Sequence, residues 1–168
     1  FDTVEAAGGA PVATSRYGML YRGVSLEGGR PRQPEEGLPA VAPAERPAGS
    51  FHVGVADAVV YTECARIWNP IHTDAAVAEA AGLPAIILHG TATLALGVSA
   101  VIDTIADGDP QRVRRIVGRF GSMVLMPSTI TTHIFDVRDH GDQLAVRFEV
   151  RGEDGGAAVD RGVILLDR

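Results

Sequence analysis

Leu88-His89-Gly90-Thr91-Ala92-Thr93-Leu94-Ala95-Leu96-Gly97-Val98-Ser99-Ala100-Val101-Ile102 opens the longest apolar run of the chain. It reads as a helix from Thr91 to about Ala106, ended by Gly108-Asp109-Pro110. Its residues are small and apolar nearly all the way round, which predicts burial on most faces. A run of strands follows, over Val113 to Phe120, Ser128 to Arg138, Gln143 to Arg151 and Ala157 to Leu166. His140-Gly141-Asp142 and Asp154-Gly155-Gly156 supply the later turns. One buried helix followed by antiparallel strands predicts an α+β fold, a curved sheet wrapped around that helix.

Moving back toward the N-terminus, Ala85 to Leu88 is a short apolar run, and Asp74 to Ala81 a short helix closed by Gly82 and Pro84. Trp68-Asn69-Pro70 breaks an earlier helix, predicted from about Ala58 to Ile67. Asp57 is its expected cap, with Val60, Cys64 and Ile67 on its apolar face. Phe51 to Val55 reads as a strand. Residues 26–49 hold five of the ten prolines together with Gly28-Gly29, which predicts a linker. Residues 1–25 alternate as a β-hairpin about Gly8-Gly9, its second strand running from Val12 to Val24. A lone hairpin is marginal in water, so it is expected to complete a larger sheet.

Composition narrows the function classes. The 168 residues are 46% hydrophobic and 21% charged, a globular mix. The net charge of −6 argues against nucleic acid as a partner. All fifteen basic residues are arginines, so no lysine Schiff base or Walker-type lysine exists. The single cysteine, Cys64, rules out an internal disulfide and a cysteine-rich zinc site. No metal site is expected, because His72 and His89 are a pair without a third ligand at suitable spacing. Thr91 to Ile105 is interrupted by Gly97, Ser99 and Asp103, too polar and too short for a bilayer. The N-terminus lacks a basic-then-apolar signal pattern, so a cytoplasmic location is expected. The chain begins Phe1-Asp2 with no initiator methionine and reads as a processed or truncated piece of something longer.

Chemistry concentrates in Trp68-Asn69-Pro70-Ile71-His72-Thr73-Asp74, followed by Leu88-His89-Gly90. Asn-Pro-apolar-His-x-Asp, a short helix, then apolar-His-Gly opening a long helix resembles the MaoC-like hydratase family. Arg119-Phe120 through Met126-Pro127 resembles the family's strand-Pro-turn-strand segment. The resemblance covers roughly Ser50 to Arg168. It implies a hotdog fold and the activity of (R)-specific enoyl thioester hydratases and dehydratases. It also implies that residues 1–25 are the closing strands of a preceding hotdog unit, residues 50–168 being the second. One departure stands out. The family has glycine and then aspartate where this chain has Arg66 and Ile67. That aspartate works with the motif histidine on the water, and isoleucine can neither take a proton nor bind water.

His72 is therefore the first catalytic candidate, an imidazole suited to moving a proton near neutral pH. On the residues alone, a histidine that only braces the turn is the commoner reading, and it is the resemblance that favours catalysis. Asn69 can hydrogen-bond the loop. Gly90, at a helix N-terminus, lets a thioester carbonyl approach free backbone amides, and the resemblance implies an oxyanion role for its amide. Tight helix packing is the other reading of that glycine. Glu63, one turn before Ile67, is a candidate substitute acid or base, though such a glutamate is usually just solvated. Asp74 is expected to cap the next helix. Ile67, Trp68, His89, Arg66 and Arg115 are assigned to substrate binding, with His89 read as chiefly structural. Arg112, Arg114, Arg115 and Arg119 form a basic cluster that could meet CoA or carrier phosphates. The resulting expectation is a hydro-lyase acting at the C2=C3 bond of an acyl thioester. It needs no cofactor beyond the CoA or phosphopantetheine on the substrate. A homo-oligomer is expected, with an acyl carrier protein as a possible partner. A hotdog thioesterase and a non-catalytic partner subunit are the alternatives.

Overall fold

The computed structural model describes residues 1–19, 21, 23–25, 27–28 and 45–168. These belong to two compact units, Phe1–Pro39 and Ala40–Arg168. In the first, β1 (Asp2–Val4) pairs antiparallel with β2 (Pro11–Thr14). The turn is closed by the Glu5 amide on the Ala10 carbonyl at 2.8 Å. The second strand is shorter than expected, and Tyr17, Met19 and Tyr21 lie outside any strand. The reason is that β1 has three residues, so β2 runs out of partner near Ser15. Most of the expected linker, including Pro31, Pro34, Pro39 and Pro43, lies outside the described residues.

In the second unit, β3 (Arg46–Val53) starts inside the expected linker range. Pro47 fits there because β3 is an edge strand whose register shifts between Pro47 and Gly49, where a missing N–H is tolerated. β3 ends before Val55, where helix α1 (Val55–Ala65) has already begun. Asp57 is not the N-cap residue. Gly54 is, and the Asp57 carboxylate accepts its amide at 2.7 Å. The buried face of α1 is Ala58 and Thr62, whereas Val60, Cys64 and Ile67 are exposed. Small side chains allow that face to lie close to its neighbours, so the larger valines are left outside.

A 3₁₀ turn (Pro70–His72) and α2 (Ala75–Ala80) lead to α3 (Gly90–Ile105). β4 (Val113–Phe120), β5 (Ser128–His140), β6 (Gln143–Arg151) and β7 (Ala157–Asp167) complete an antiparallel sheet of order β3-β5-β6-β7-β4. Strand periodicity puts alternate residues on the helix side. On β5 these are Ile130, Thr132 and Ile134, all buried, and Phe148, Val150, Val159, Ile164 and Leu166 join them. α3 lies against β3, β5, β6 and β7. Gly97 makes that approach possible: a Cβ there would come within 2.4 Å of Val150 Cγ2. The curved sheet around one helix is the expected α+β architecture.

Candidate active site

The site forms where three short segments are laced together at the start of α3. The Ile87 amide donates to the Ile71 carbonyl at 3.4 Å, Leu88 to Val124 at 2.9 Å, and Met126 to Ile86 at 3.0 Å. Asn69 caps the 3₁₀ turn, its Oδ1 accepting the Ile71 amide at 3.4 Å, and Pro70 holds the first helical position. Asp74 caps α2 as expected, accepting from Ala76 at 2.8 Å and Val77 at 3.2 Å. The two caps fix the ends of the segment that carries His72.

His72 is half-buried, and its Nδ1 lies 2.8 Å from the Ile87 carbonyl oxygen. A carbonyl only accepts, so Nδ1 carries the hydrogen and Nε2 presents its lone pair. That tautomer suits a general base. Its ring stacks on His89, with centroids 3.7 Å apart and planes 26° from parallel. His89 is the N-cap of α3 and is 2% exposed. Its Nε2 is 3.2 Å from Thr62 Oγ1 and 3.4 Å from the Ile67 carbonyl oxygen, while its buried Nδ1 has no hydrogen-bond partner among the described residues. Burial pushes the His89 imidazole below its ordinary value of 6.5. The neighbouring His72 pushes it further the same way, partly offset by the Ile67 carbonyl.

Gly90 follows His89 as the first residue of α3, whose N-terminus has no side-chain cap. Helix geometry leaves its first amides without intrahelical partners. A Cβ on Gly90 would meet the Phe120 ring at 3.0 Å, so glycine is also required for packing. A groove of about 440 Å³ starts at Thr91 and runs along α3, lined by Leu94, Ala95, Val98, Ile102 and Ile116.

The structure thus gathers His72, His89, Asn69 and Gly90, with the Ile67 backbone behind them. Glu63 instead accepts the Trp68 indole N–H at 3.3 Å, both side chains exposed. Arg66 is exposed at the end of α1. In the basic cluster, Arg114 and Arg119 pair with Asp167 and Asp160 of β7. Arg112 Nε donates to the Asp167 carbonyl at 2.8 Å. Arg115 is exposed on β4 and makes none of these contacts. The sequence did not single out Thr62, or Tyr61, whose ring lies 5.0 Å from that of His89. The 58/62 spacing of small residues on α1 was the only available signal for the buried face. Among the described residues no group of three or more His, Cys, Asp or Glu is placed to hold a metal, and no helix is long and apolar enough to cross a membrane.

An antiparallel sheet around a central helix whose N-terminus carries the histidines defines a hotdog domain. It superposes on a MaoC-like dehydratase from Phytophthora capsici with TM-score 0.73 at 24% identity, covering 88% of this chain and 48% of that one. The family model described as MaoC like domain matches residues 39–153, more than half of the sequence, and the chain belongs to that family. It is 26% identical over 169 residues to probable enoyl-CoA hydratase 2 of Dictyostelium discoideum, covering 98% of this chain and 55% of that protein. It is 40% identical over 68 residues to peroxisomal enoyl-CoA hydratase 2 of Arabidopsis thaliana, covering 40% and 22%. The chain therefore spans about half or less of the length of these curated relatives.

Proposed function

We propose that this chain catalyses reversible hydration of the C2=C3 bond of an acyl thioester. The observation that carries the reading is the His72 imidazole, locked as its Nδ1–H tautomer by the Ile87 carbonyl and set beside the uncapped N-terminus of α3. In the hydration direction, His72 Nε2 takes a proton from water as the water oxygen bonds to C3. The electron pair of the C2=C3 bond moves onto C2 and the thioester carbonyl. The Gly90 amide and the helix end stabilise that negative oxygen. His72 then returns the proton to C2, so one water is added and nothing else is consumed. The acyl chain lies in the groove that begins at Thr91. The chemistry asks for no cofactor beyond the CoA or pantetheine carrying the acyl group. The names of the Dictyostelium and Arabidopsis relatives support an enoyl-CoA substrate. An acyl carrier protein as donor, assembly as a homo-oligomer and a cytoplasmic location complete the proposal.

Hydration removes the absorbance of the conjugated enoyl thioester without releasing thiol. Wild-type protein mixed with a short enoyl-CoA is expected to bleach that band while a thiol reagent stays silent. Thiol release instead would identify a thioesterase. Ile67 favours a second reading, a partner subunit without activity of its own, because this residue cannot share the water. That reading requires no turnover by the chain alone and turnover on adding a catalytic mate.

A further inference from the structure

Among the described residues no carboxylate pairs with His72, and the group packed on its ring is another imidazole. His89 is a flat plate held on several sides. Thr62 Oγ1 and the Ile67 carbonyl grip its Nε2, the Tyr61 ring lies 5.0 Å away, and His72 stacks at 3.7 Å. The Ile67 carbonyl can only accept, so Nε2 carries the His89 hydrogen and the buried Nδ1 carries none.

We propose that His89 is a positioning residue for His72: an imidazole whose face fixes the plane of the His72 ring and supports the imidazolium formed during turnover. The inference rests on His72 being the proton carrier of the proposed hydration. Two stacked imidazoles at this distance resist being charged together. The titratable groups facing His89 are Tyr61 from α1 and His72 from the 3₁₀ turn, both half-open to solvent, and of the two imidazoles His72 is the open one. The proton therefore resides on His72. Burial and the charge on its neighbour both hold His89 neutral. With Nδ1–H of His72 fixed by Ile87 and its face by His89, Nε2 has one direction in which to take the water proton.

The direct test is to follow the imidazole ¹⁵N and ¹H signals of the whole chain as pH is lowered. The His72 and His89 signals are assigned with His72→Gln and His89→Phe variants. As the pH is lowered, His89 is expected to keep its neutral Nε2–H form below the ordinary imidazole range, held there by burial and by the neighbouring His72. Protonation of His89 together with or before His72, or an Nδ1–H form of His89, overturns the proposal. In kinetics, His89→Ala should lower kcat about ten-fold or more with KM within about two-fold. His89→Phe, which restores the plate, should regain most of that loss. A folded His89→Ala protein with wild-type kcat overturns the proposal as well. If wild-type protein hydrates no enoyl thioester while the imidazole signals behave as expected, the hydratase reading fails and the neutral, ring-fixing role of His89 stands.

Discussion

The backbone carbonyl of Ile67 lies 3.4 Å from Nε2 of His89, the ring stacked on His72, so position 67 borders the histidine pair. The Ile67 side chain is 41% exposed, so an aspartate there would meet solvent and not a dry core. Ile67→Asp should therefore fold, and give His72 a second group to hold the water. The expected gain in kcat/KM on short enoyl thioesters is about 10²-fold, the lower end of a general acid–base contribution. Thermal unfolding measured on the same sample checks that the variant is folded. No gain, in a background where wild type is already fast, would move the second role to another group. Glu63 would be tested first, although its carboxylate is engaged by Trp68. At this scale the motif made His72, Asn69 and Gly90 legible, because a Pro-linked turn and a glycine before a helix have local causes. The grip on His89 was not legible, since Thr62 and Ile67 reach it across 27 and 22 positions of sequence.

Helix α1 ends on Arg66 in the left-handed region, with φ of 55°. A side chain with a Cβ is strained there, and glycine is not. The glycine that family members carry at this position thus has a backbone explanation, independent of catalysis. Arg66→Gly is expected to stabilise the fold by about 0.5–1 kcal/mol, read from denaturant midpoints at unchanged slope. A loss of stability would show that the arginine side chain contributes more than its backbone strain costs. Among the elements, β4 and β6 were legible to the residue and α3 within one position, because strand alternation and an all-apolar helix are strong local signals. The buried face of α1 was misread, since Val60, Cys64 and Ile67 look like core yet lie outside. The start of β3 was hidden by Pro47, which only an edge position excuses.

Among the described residues, the sheet of the second unit ends on two edge strands, β3 and β4. Free edges are templates for further pairing unless blunted. On β4, Arg114 and Arg119 are matched by Asp167 and Asp160 of β7, which draws their charge inward, while Ile116 and Phe120 stay half-exposed. That combination favours pairing along β4, and light scattering at micromolar concentration should give at least twice the 17.6 kDa chain mass. A monomer would show that the edge is protected in some other way. The whole account turns on His72 as the group that moves the proton. The measurement that tests it most directly is the rate of enoyl-thioester bleaching by folded His72→Ala protein beside wild type. A fall in kcat/KM of about 10²-fold or more is the predicted result. Equal rates in the two proteins would contradict it.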